Sequence, residues 1–188
     1  MQQVTDTNKR YSLEEYIKLD ETGTLRHEFY KGKLFAMPGE TLLHNEICTR
    51  LLIQLTTVLQ PKGWKTYIES VKVKIENEEI YLYPDIIVMN PDAEVPNTSK
   101  SYIIHHPALI AEVLSDSTRK YDSTDKFIQY QKISSLQYYL LVEPEKHVVF
   151  FYEKDESGEW SAKVFTEMDE VISLPFFQAQ LTLGDIYS

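Results

Sequence analysis

Two acidic residues, Asp85 and Glu112, interrupt apolar stretches that are typical of buried strands. Asp85 lies in the stretch 83–88 (YPDIIV), and Glu112 lies in the stretch 108–114 (ALIAEVL). Nearly continuous apolar runs indicate central strands of a sheet that is covered on both faces. A carboxylate there costs roughly several kcal/mol unless it is paired, hydrogen-bonded or bound to a cation. The pattern therefore predicts a metal site that uses both acids.

The pleat of a strand decides whether these two carboxylates can meet. Side chains alternate between the two faces, so Asp85 and Glu112 can share one face if their strands are neighbours. Two carboxylates about 4 Å apart repel each other by roughly 4 kcal/mol at an effective dielectric near 20. A divalent cation removes this repulsion, and a small set of oxygen ligands suits Mg²⁺ or Mn²⁺. Such an ion can activate water and stabilise the charge of a phosphodiester transition state.

A lysine at position 126 is the third candidate for this chemistry. Lys126 lies in a predicted helix, one turn after Asp122 and one turn before Tyr130, so the three side chains share one helix face. If that face packs on the sheet, Lys126 can position the attacking water or stabilise the transition-state charge. Asp85, Glu112 and Lys126 are therefore the predicted catalytic residues.

The elements that must position these residues follow from periodicity and from turn signals. A short helix is predicted after Ser12, whose capping-box partner is Glu15. A second helix is predicted over 43–60 and a third over 119–132. Strands are predicted over 64–75, 80–89, 108–114 and 137–143, and hairpins over 26–37 and over 147–153 with 160–166. The order indicates an α/β or α+β protein with a mixed sheet.

Composition limits the class of protein. The chain has 188 residues with 43% hydrophobic content, which predicts one domain over 11–188 after a loose arm over 1–10. The formal net charge of −10 argues mildly against broad attraction to nucleic acid and leaves a local basic patch open. A single cysteine, a polar N-terminus and the lack of a long apolar run predict a cytoplasmic protein that does not enter a membrane.

The order of these motifs resembles the PD-(D/E)XK nuclease superfamily and, more narrowly, the Uma2 family of restriction-type endonucleases. The resemblance covers residues 12 to 186. The matching features are Glu28 with the Lys31-Gly32-Lys33 turn, His44, Pro84-Asp85, Glu112-Val113-Leu114-Ser115 with Ser117-Thr118, Asp122, Lys126 and Tyr130. One position departs from the superfamily pattern, because Leu114 stands where a lysine is usual. The resemblance implies that the lysine has moved to the helix as Lys126.

The resemblance also implies a fold and an activity. The expected fold is a restriction-endonuclease-like core with the order αβββαβ, a mixed central sheet flanked by helices, and added hairpins. The expected activity is Mg²⁺- or Mn²⁺-dependent hydrolysis of DNA by a homodimer. Glu28, His44, Glu69, Asp122 and Tyr130 are expected around the three catalytic residues.

Simpler roles stay open for each residue. Asp85 can accept backbone hydrogen bonds, and Glu112 can pair with a basic residue. Lys126 can be solvated, Tyr130 can be core packing, and His44 can cap its helix. Glu28 and Glu69 can be surface charges.

The function has open alternatives as well. An inactive nuclease-fold interaction module and a hydrolase of another phosphoester both fit the pattern. Stacking of Tyr81, Tyr83, Tyr121 and Tyr130 on bases, and phosphate contacts by Arg119 and Lys120, are further possibilities.

Overall fold

The computed structural model describes residues 9–37, 39–90, 92, 103–116 and 118–188. Its first half contains α1 (Leu13–Thr22), β1 (His27–Tyr30), β2 (Lys33–Ala36), α2 (Leu42–Leu59), β3 (Lys65–Ile68), β4 (Lys72–Lys74), β5 (Ile80–Leu82) and β6 (Ile86–Met89). Its second half contains β7 (Ile103–Ile104), β8 (Pro107–Val113), a π-helical segment (Tyr121–Lys126), α3 (Phe127–Tyr130), β9 (Tyr138–Glu143), β10 (Val148–Lys154), β11 (Trp160–Phe165), β12 (Val171–Leu174), β13 (Ala179–Thr182) and α4 (Leu183–Tyr187).

A six-stranded mixed sheet forms the centre, in the order β11-β10-β9-β8-β6-β3. Strands β8 and β9 are parallel, and the other neighbours are antiparallel. In chain order, α2, β3, β6, β8, the helical segment and β9 give the expected αβββαβ core. The predicted mixed fold is therefore confirmed.

The two faces of this sheet are covered by different elements. Leu109, Ala111 and Val113 of β8 pack in one apolar cluster with α2. Ile110 and Leu114 pack in a second cluster with Tyr130 of α3. Because strand side chains alternate, Glu112 belongs to the face that the helix carrying Lys126 covers.

A second sheet, in the order β2-β1-β5-β4-β7, corrects two strand predictions. The predicted strand 64–75 is broken into β3 and β4, because Glu69 and Ser70 adopt positive φ values of 39° and 47°. The predicted strand 80–89 is broken into β5 and β6 around Pro84, which has no N–H for a ladder bond. The chain passes between the two sheets at both breaks. Asp85 therefore lies beside a break and not in the middle of a strand.

The other predicted helices, strands and hairpins are confirmed in part. The capping box of Ser12 and Glu15, both hairpins and the strand near 137–143 are confirmed. The third helix ends at Tyr130 and contains the π-helical segment, which the sequence pattern did not predict. The short strand β7 replaces the end of the predicted loop 90–104, and the sequence analysis missed β12, β13 and α4. Most of the predicted arm and loop, and Ser117, lie outside the described residues.

Across the described ranges, no helix is long and apolar enough to cross a bilayer.

Candidate active site

A cavity of about 480 Å³ opens where the two sheets meet. Its walls come from the break before β6, the end of β8, the start of α2 and the π-helical segment. The predicted site residues that line it are Glu28, His44, Glu69, Asp85, Glu112, Asp122 and Lys126. Tyr130 lies beneath the cavity floor and is fully buried.

The pairing of β6 with β8 brings the two acids together. Ile86 is opposite Ala111, so Asp85 and Glu112 occupy the next pair of positions along the two strands. The Asp85 N–H donates to Glu112 Oε2 at 3.3 Å, and the Val113 N–H donates to Asp85 Oδ2 at 2.7 Å. The condition that their strands be neighbours is met. Asp85 also accepts a backbone hydrogen bond, as its simpler role required.

Lys126 points into the site. Its Nζ lies 3.0 Å from Glu112 Oε1, 3.1 Å from Asp122 Oδ1 and 3.4 Å from Glu28 Oε1. It also donates to the carbonyl of Tyr83 at 3.3 Å. Because the Lys126 side chain is almost fully buried, it is not a solvated helix residue. Leu114, at the position where the superfamily has lysine, packs in the core.

The π-helical segment carries Asp122 and Lys126, and Tyr130 follows one turn later in α3. Tyr130 donates from its hydroxyl to Glu112 Oε1 at 3.0 Å, so it does more than fill the core. Tyr139 of β9 donates to the Asp122 carbonyl at 2.9 Å, which anchors the segment on the sheet. The Oδ1 of Asp122 is buried beside Lys126 without a well-aligned hydrogen bond. Segments of this kind often occur at functional sites.

Glu28 is a fully buried acid and not a surface charge. Its Oε1 accepts the Tyr83 N–H at 3.0 Å, and its Oε2 accepts the Tyr121 hydroxyl at 2.9 Å. Tyr83 is in turn fixed at its far end, because its hydroxyl donates to Asp20 at 2.6 Å and Asp20 pairs with Lys72. These contacts hold Tyr83, which lies two residues before Asp85.

His44 lies in the first turn of α2, which Thr41 caps. Its Nε2 is 3.3 Å from Asp85 Oδ2 and 4.0 Å from Glu40, and its Nδ1 is 3.6 Å from Cys48 Sγ. Burial opposes protonation, but Asp85 and Glu40 outweigh it and raise the pKa of His44. Burial raises the pKa of Cys48, so the thiol stays protonated. One ligand atom from each of His44, Cys48 and Asp85 lies within 4.8 Å of the others, so these residues form a second candidate metal cluster, which shares Asp85 with the acid pair.

Carboxylates outnumber cations in this cavity. Burial raises the pKa of Glu112 well above its usual value, with Lys126 opposing and Asp122 and Asp85 adding to the rise. Burial would lower the pKa of Lys126, but Asp122, Glu112 and Glu28 hold it well above its usual value. One lysine therefore serves three acids, and the cavity is electrostatically favourable for a further cation.

The residues present fit a hard divalent cation. Asp85 and Glu112 supply carboxylate oxygens, the ligands that Mg²⁺ and Mn²⁺ prefer. The described contacts of the Asp85 carboxylate all use Oδ2, and Glu112 Oε2 makes one long backbone contact. Both carboxylates therefore keep lone pairs that can coordinate a metal ion in the cavity.

The structure also places the residues predicted to contact bases and phosphates. Tyr81, Tyr83 and Tyr130 are buried and cannot stack on bases, whereas Tyr121 is partly exposed. Arg119 pairs with Glu143, which limits its use as a phosphate contact. Glu69 lines the cavity, and its backbone N–H donates to the carbonyl of Asp85.

Sequence reasoning missed two groups near this cavity. Glu40 precedes the helix by two residues and gives no periodic signal. The buried pair of Asp20 and Lys72 was hidden because strand alternation placed Lys72 on a polar face.

The fold and the convergence of two acids with a lysine define the restriction-endonuclease-like PD-(D/E)XK class. The model of the Uma2 family, described as "Putative restriction endonuclease", matches residues 13–184. The chain belongs to the Uma2 family. Membership supports nuclease as the class of activity.

Similar proteins share most of their length with this chain. Two proteins from Synechocystis sp. (strain ATCC 27184 / PCC 6803 / Kazusa), both described as uncharacterized, match over most of their length. The protein sll1609 is 29% identical over 84% of this chain and 88% of its own, and slr1290 is 32% identical over 80% and 78%. A crystal structure from Anabaena variabilis ATCC 29413, titled as a putative nuclease belonging to DUF820, has a TM-score of 0.76. It is 21% identical and covers 94% of this chain and 97% of that one, which supports the fold.

Proposed function

We propose that this protein is a Mg²⁺- or Mn²⁺-dependent endonuclease that hydrolyses DNA phosphodiester bonds. One observation carries the proposal: Asp85 and Glu112 lie side by side on paired strands, and Lys126 Nζ is 3.0 Å from Glu112. Asp85 and Glu112 would hold the metal ion, and Lys126 would assist the attacking water. We assign this activity to one nuclease-like domain over residues 11–188.

The excess of buried acids supports the metal. Glu112, Asp122 and Glu28 share Lys126, while Asp85 has His44 as its neighbour. A divalent ion held by Asp85 and Glu112 would supply water activation and stabilisation of the phosphodiester transition state.

The charge of Lys126 determines its role. Its raised pKa keeps it protonated at neutral pH, so it would act as a hydrogen-bond donor and a positive charge, and not as a base. Its amine would exchange one of its present acceptors for the attacking water or for a phosphate oxygen. Glu28 and Asp122 hold the amine in place, and Tyr130 fixes the Glu112 carboxylate that it contacts.

His44 and the Tyr83 backbone complete the support of the site. His44 Nε2 faces Asp85 Oδ2, which orients that carboxylate. The Tyr83 N–H and carbonyl tie Glu28 and Lys126 to the peptide before Asp85. Glu69 lies nearby at the cavity wall, where it would act indirectly.

Family membership supports DNA as the substrate. Cleavage of both strands would use two copies of the site, so we propose a homodimer, and the single cysteine suits the reducing cytoplasm. Analytical ultracentrifugation would test the dimer.

Plasmid nicking tests the activity. Wild-type protein should convert supercoiled plasmid to open-circular or linear DNA with Mg²⁺ or Mn²⁺, and EDTA should abolish the reaction. Asp85→Asn and Lys126→Ala should lose at least about 100-fold in rate, because each removes a charge that acts at the reacting phosphate. Glu46→Gln, which changes an exposed acid of α2, is the matched control. Cleavage that persists in EDTA or in the Asp85→Asn variant would overturn the proposal.

An inactive interaction module is the second candidate, and the net charge of −10 favours it because an acidic net charge opposes the attraction of DNA. Calorimetric titration with Mn²⁺ separates the two. Binding that is lost in Asp85→Asn supports the nuclease, and absence of binding by the wild type supports the module.

A further inference from the structure

A second cavity, of about 530 Å³, lies beyond Tyr121 on the outer side of the active site. Three aromatic rings, those of Tyr30, Phe35 and Tyr121, form its walls. Polar groups of Lys120, Asp125 and Gln129 lie among them. The cavity therefore combines flat apolar faces with hydrogen-bonding groups.

The rings of Tyr30, Phe35 and Tyr121 differ from the rings that pack on one another in the core. Many tyrosine and phenylalanine rings in the described part of the chain contact another aromatic ring, as Phe127 stacks on Tyr139. Among the residues that the structure describes, no ring contact joins Tyr30, Phe35 or Tyr121 to another aromatic ring. All three are only partly buried. Lys126 Nζ lies over one face of the Tyr121 ring, 5.7 Å from its centroid, and Tyr30 packs partly against the core. The parts of the three rings that line the cavity are available to a planar ligand.

The register of the first hairpin connects this cavity to the active site. Glu28 on β1 is paired with Phe35 on β2, and cross-strand partners lie on the same face of the sheet. Tyr30 follows Glu28 by two residues, so it lies on that face about 7 Å along the strand. Tyr121 spans the gap, since its ring lines the cavity while its hydroxyl donates to Glu28 at 2.9 Å.

We propose that this cavity binds an unpaired nucleobase of the strand whose phosphate is in the active site. The proposal rests on the proposed nuclease function and names its substrate class: single-stranded DNA, or a duplex with a frayed or extruded base. Aromatic side chains stack on every base because each base has a π face. The amine of exposed Lys120 can contact an adjacent phosphate, and Asp125 and Gln129 can contact the base edge.

The polar groups favour a base over a purely apolar ligand. Gln129 is mostly buried, and its amide is already oriented by a 3.2 Å contact with the Tyr30 hydroxyl and by Lys132. A fixed amide beside a stacking face is an arrangement that recognises the polar edge of a planar ring. A paired base in a duplex keeps its face stacked and its edge occupied, so it would not enter.

Fluorescence of 2-aminopurine tests the cavity separately from cleavage. A short single-stranded oligonucleotide with one 2-aminopurine is titrated with wild-type protein in EDTA, and again with Ca²⁺. We expect quenched fluorescence, and the same oligonucleotide in a duplex should bind more weakly. Tyr30→Ala and Phe35→Ala should each weaken single-strand binding by about 5- to 150-fold, the range for loss of one base–aromatic stack.

Conservative and remote variants keep the test specific. Phe35→Tyr retains a ring and should bind within about twofold of the wild type, whereas Tyr30→Phe retains the ring but loses the hydroxyl that orients Gln129 and should weaken binding less than Tyr30→Ala does. Phe176→Ala removes an exposed ring outside both cavities and should leave binding unchanged. A thermal melt of each alanine variant shows whether it is folded.

The outcomes separate the two proposals. Absence of quenching, or alanine variants that fold and bind like the wild type, overturns the base-binding cavity even if the wild type cleaves plasmid. Quenching in EDTA that the alanine variants lose supports the cavity, and if the wild type then fails to cleave any DNA with Mg²⁺ or Mn²⁺, only the nuclease function is overturned.

Discussion

Replacing Lys126 with methionine should destabilise the metal-free protein strongly. Methionine has a similar length but no charge, so Glu112, Asp122 and Glu28 would lose the cation that lies within 3.4 Å of each of them. Breaking a buried ion pair by removing one partner costs about 3–5 kcal/mol. For a domain of this size, that corresponds to a fall in Tm of roughly 6–20 °C. Urea unfolding in EDTA measures the change.

The loss of stability in Lys126→Met should depend on pH because of the same contacts. Without Lys126, the buried carboxyl groups would have higher pKa values in the folded state than in the unfolded state. The folded variant would then bind more protons, so its stability falls as pH rises above the unfolded carboxyl pKa near 4.3. In the wild type, burial already raises the pKa of Glu112, so the wild type shares part of this slope, whereas the stabilisation from the raised pKa of Lys126 is present below pH 10.5 and is lost only above it. The difference in free energy of unfolding between Lys126→Met and the wild type should therefore increase from pH 5 to pH 8.

Lys132→Met is the matched control, because Lys132 makes an exposed ion pair with Glu78. Such pairs contribute little, so this variant should unfold like the wild type at both pH values. Two results would refute the conclusion that Lys126 stabilises three buried acids. One is a Lys126→Met variant as stable as Lys132→Met at pH 8, and the other is the same decrease in free energy of unfolding at pH 5 as at pH 8.

Three further predictions concern the same cavity. Tyr130→Phe removes the hydroxyl that donates to Glu112 and should lower the free energy of unfolding by about 0.5–1.5 kcal/mol in urea denaturation, the usual net contribution of one intramolecular hydrogen bond. Mn²⁺ affinity should rise from pH 6 to pH 8 by up to about tenfold per unit, because the raised pKa of Glu112 lets protons compete with the ion; a pH-independent titration in calorimetry would contradict this. Arg26 lines the cavity, so Arg26→Gln should reduce the slope of log affinity against log salt for DNA by about one, whereas an unchanged slope would exclude a phosphate contact.

The sequence predicted the central elements because their patterns are local. The periodicity of α2 and the apolar runs of β6 and β8 are direct consequences of burial between layers. The division of the strands into two sheets could not be predicted from local periodicity. Alternation continues from β3 through Glu69 into β4, and only the backbone angles of Glu69 and Ser70 reveal the turn.

The site shows the same division between local and distant signals. Asp85 and Glu112 stand out because charges are rare in apolar strands. Glu28 and His44 do not stand out, since each looks ordinary in its own element and becomes buried only through contacts with Tyr121 and Asp85. Family resemblance supplied these two residues, whereas periodicity alone could not.

The π-helical segment limits how this chain can change in length. Its wider turn accommodates one residue more than an α-helix would over the same path, and it places Asp122 and Lys126 side by side. Deleting Ser123 or Thr124 would restore regular helix over the same path and change the spacing of Asp122 and Lys126 from four residues to three. Such a deletion would preserve the helix and its apolar contacts but would move the Asp122 carboxylate around the axis relative to Lys126 and disturb their 3.1 Å contact. Natural variation in this segment is therefore expected as substitutions, with insertions and deletions confined to the loops outside it.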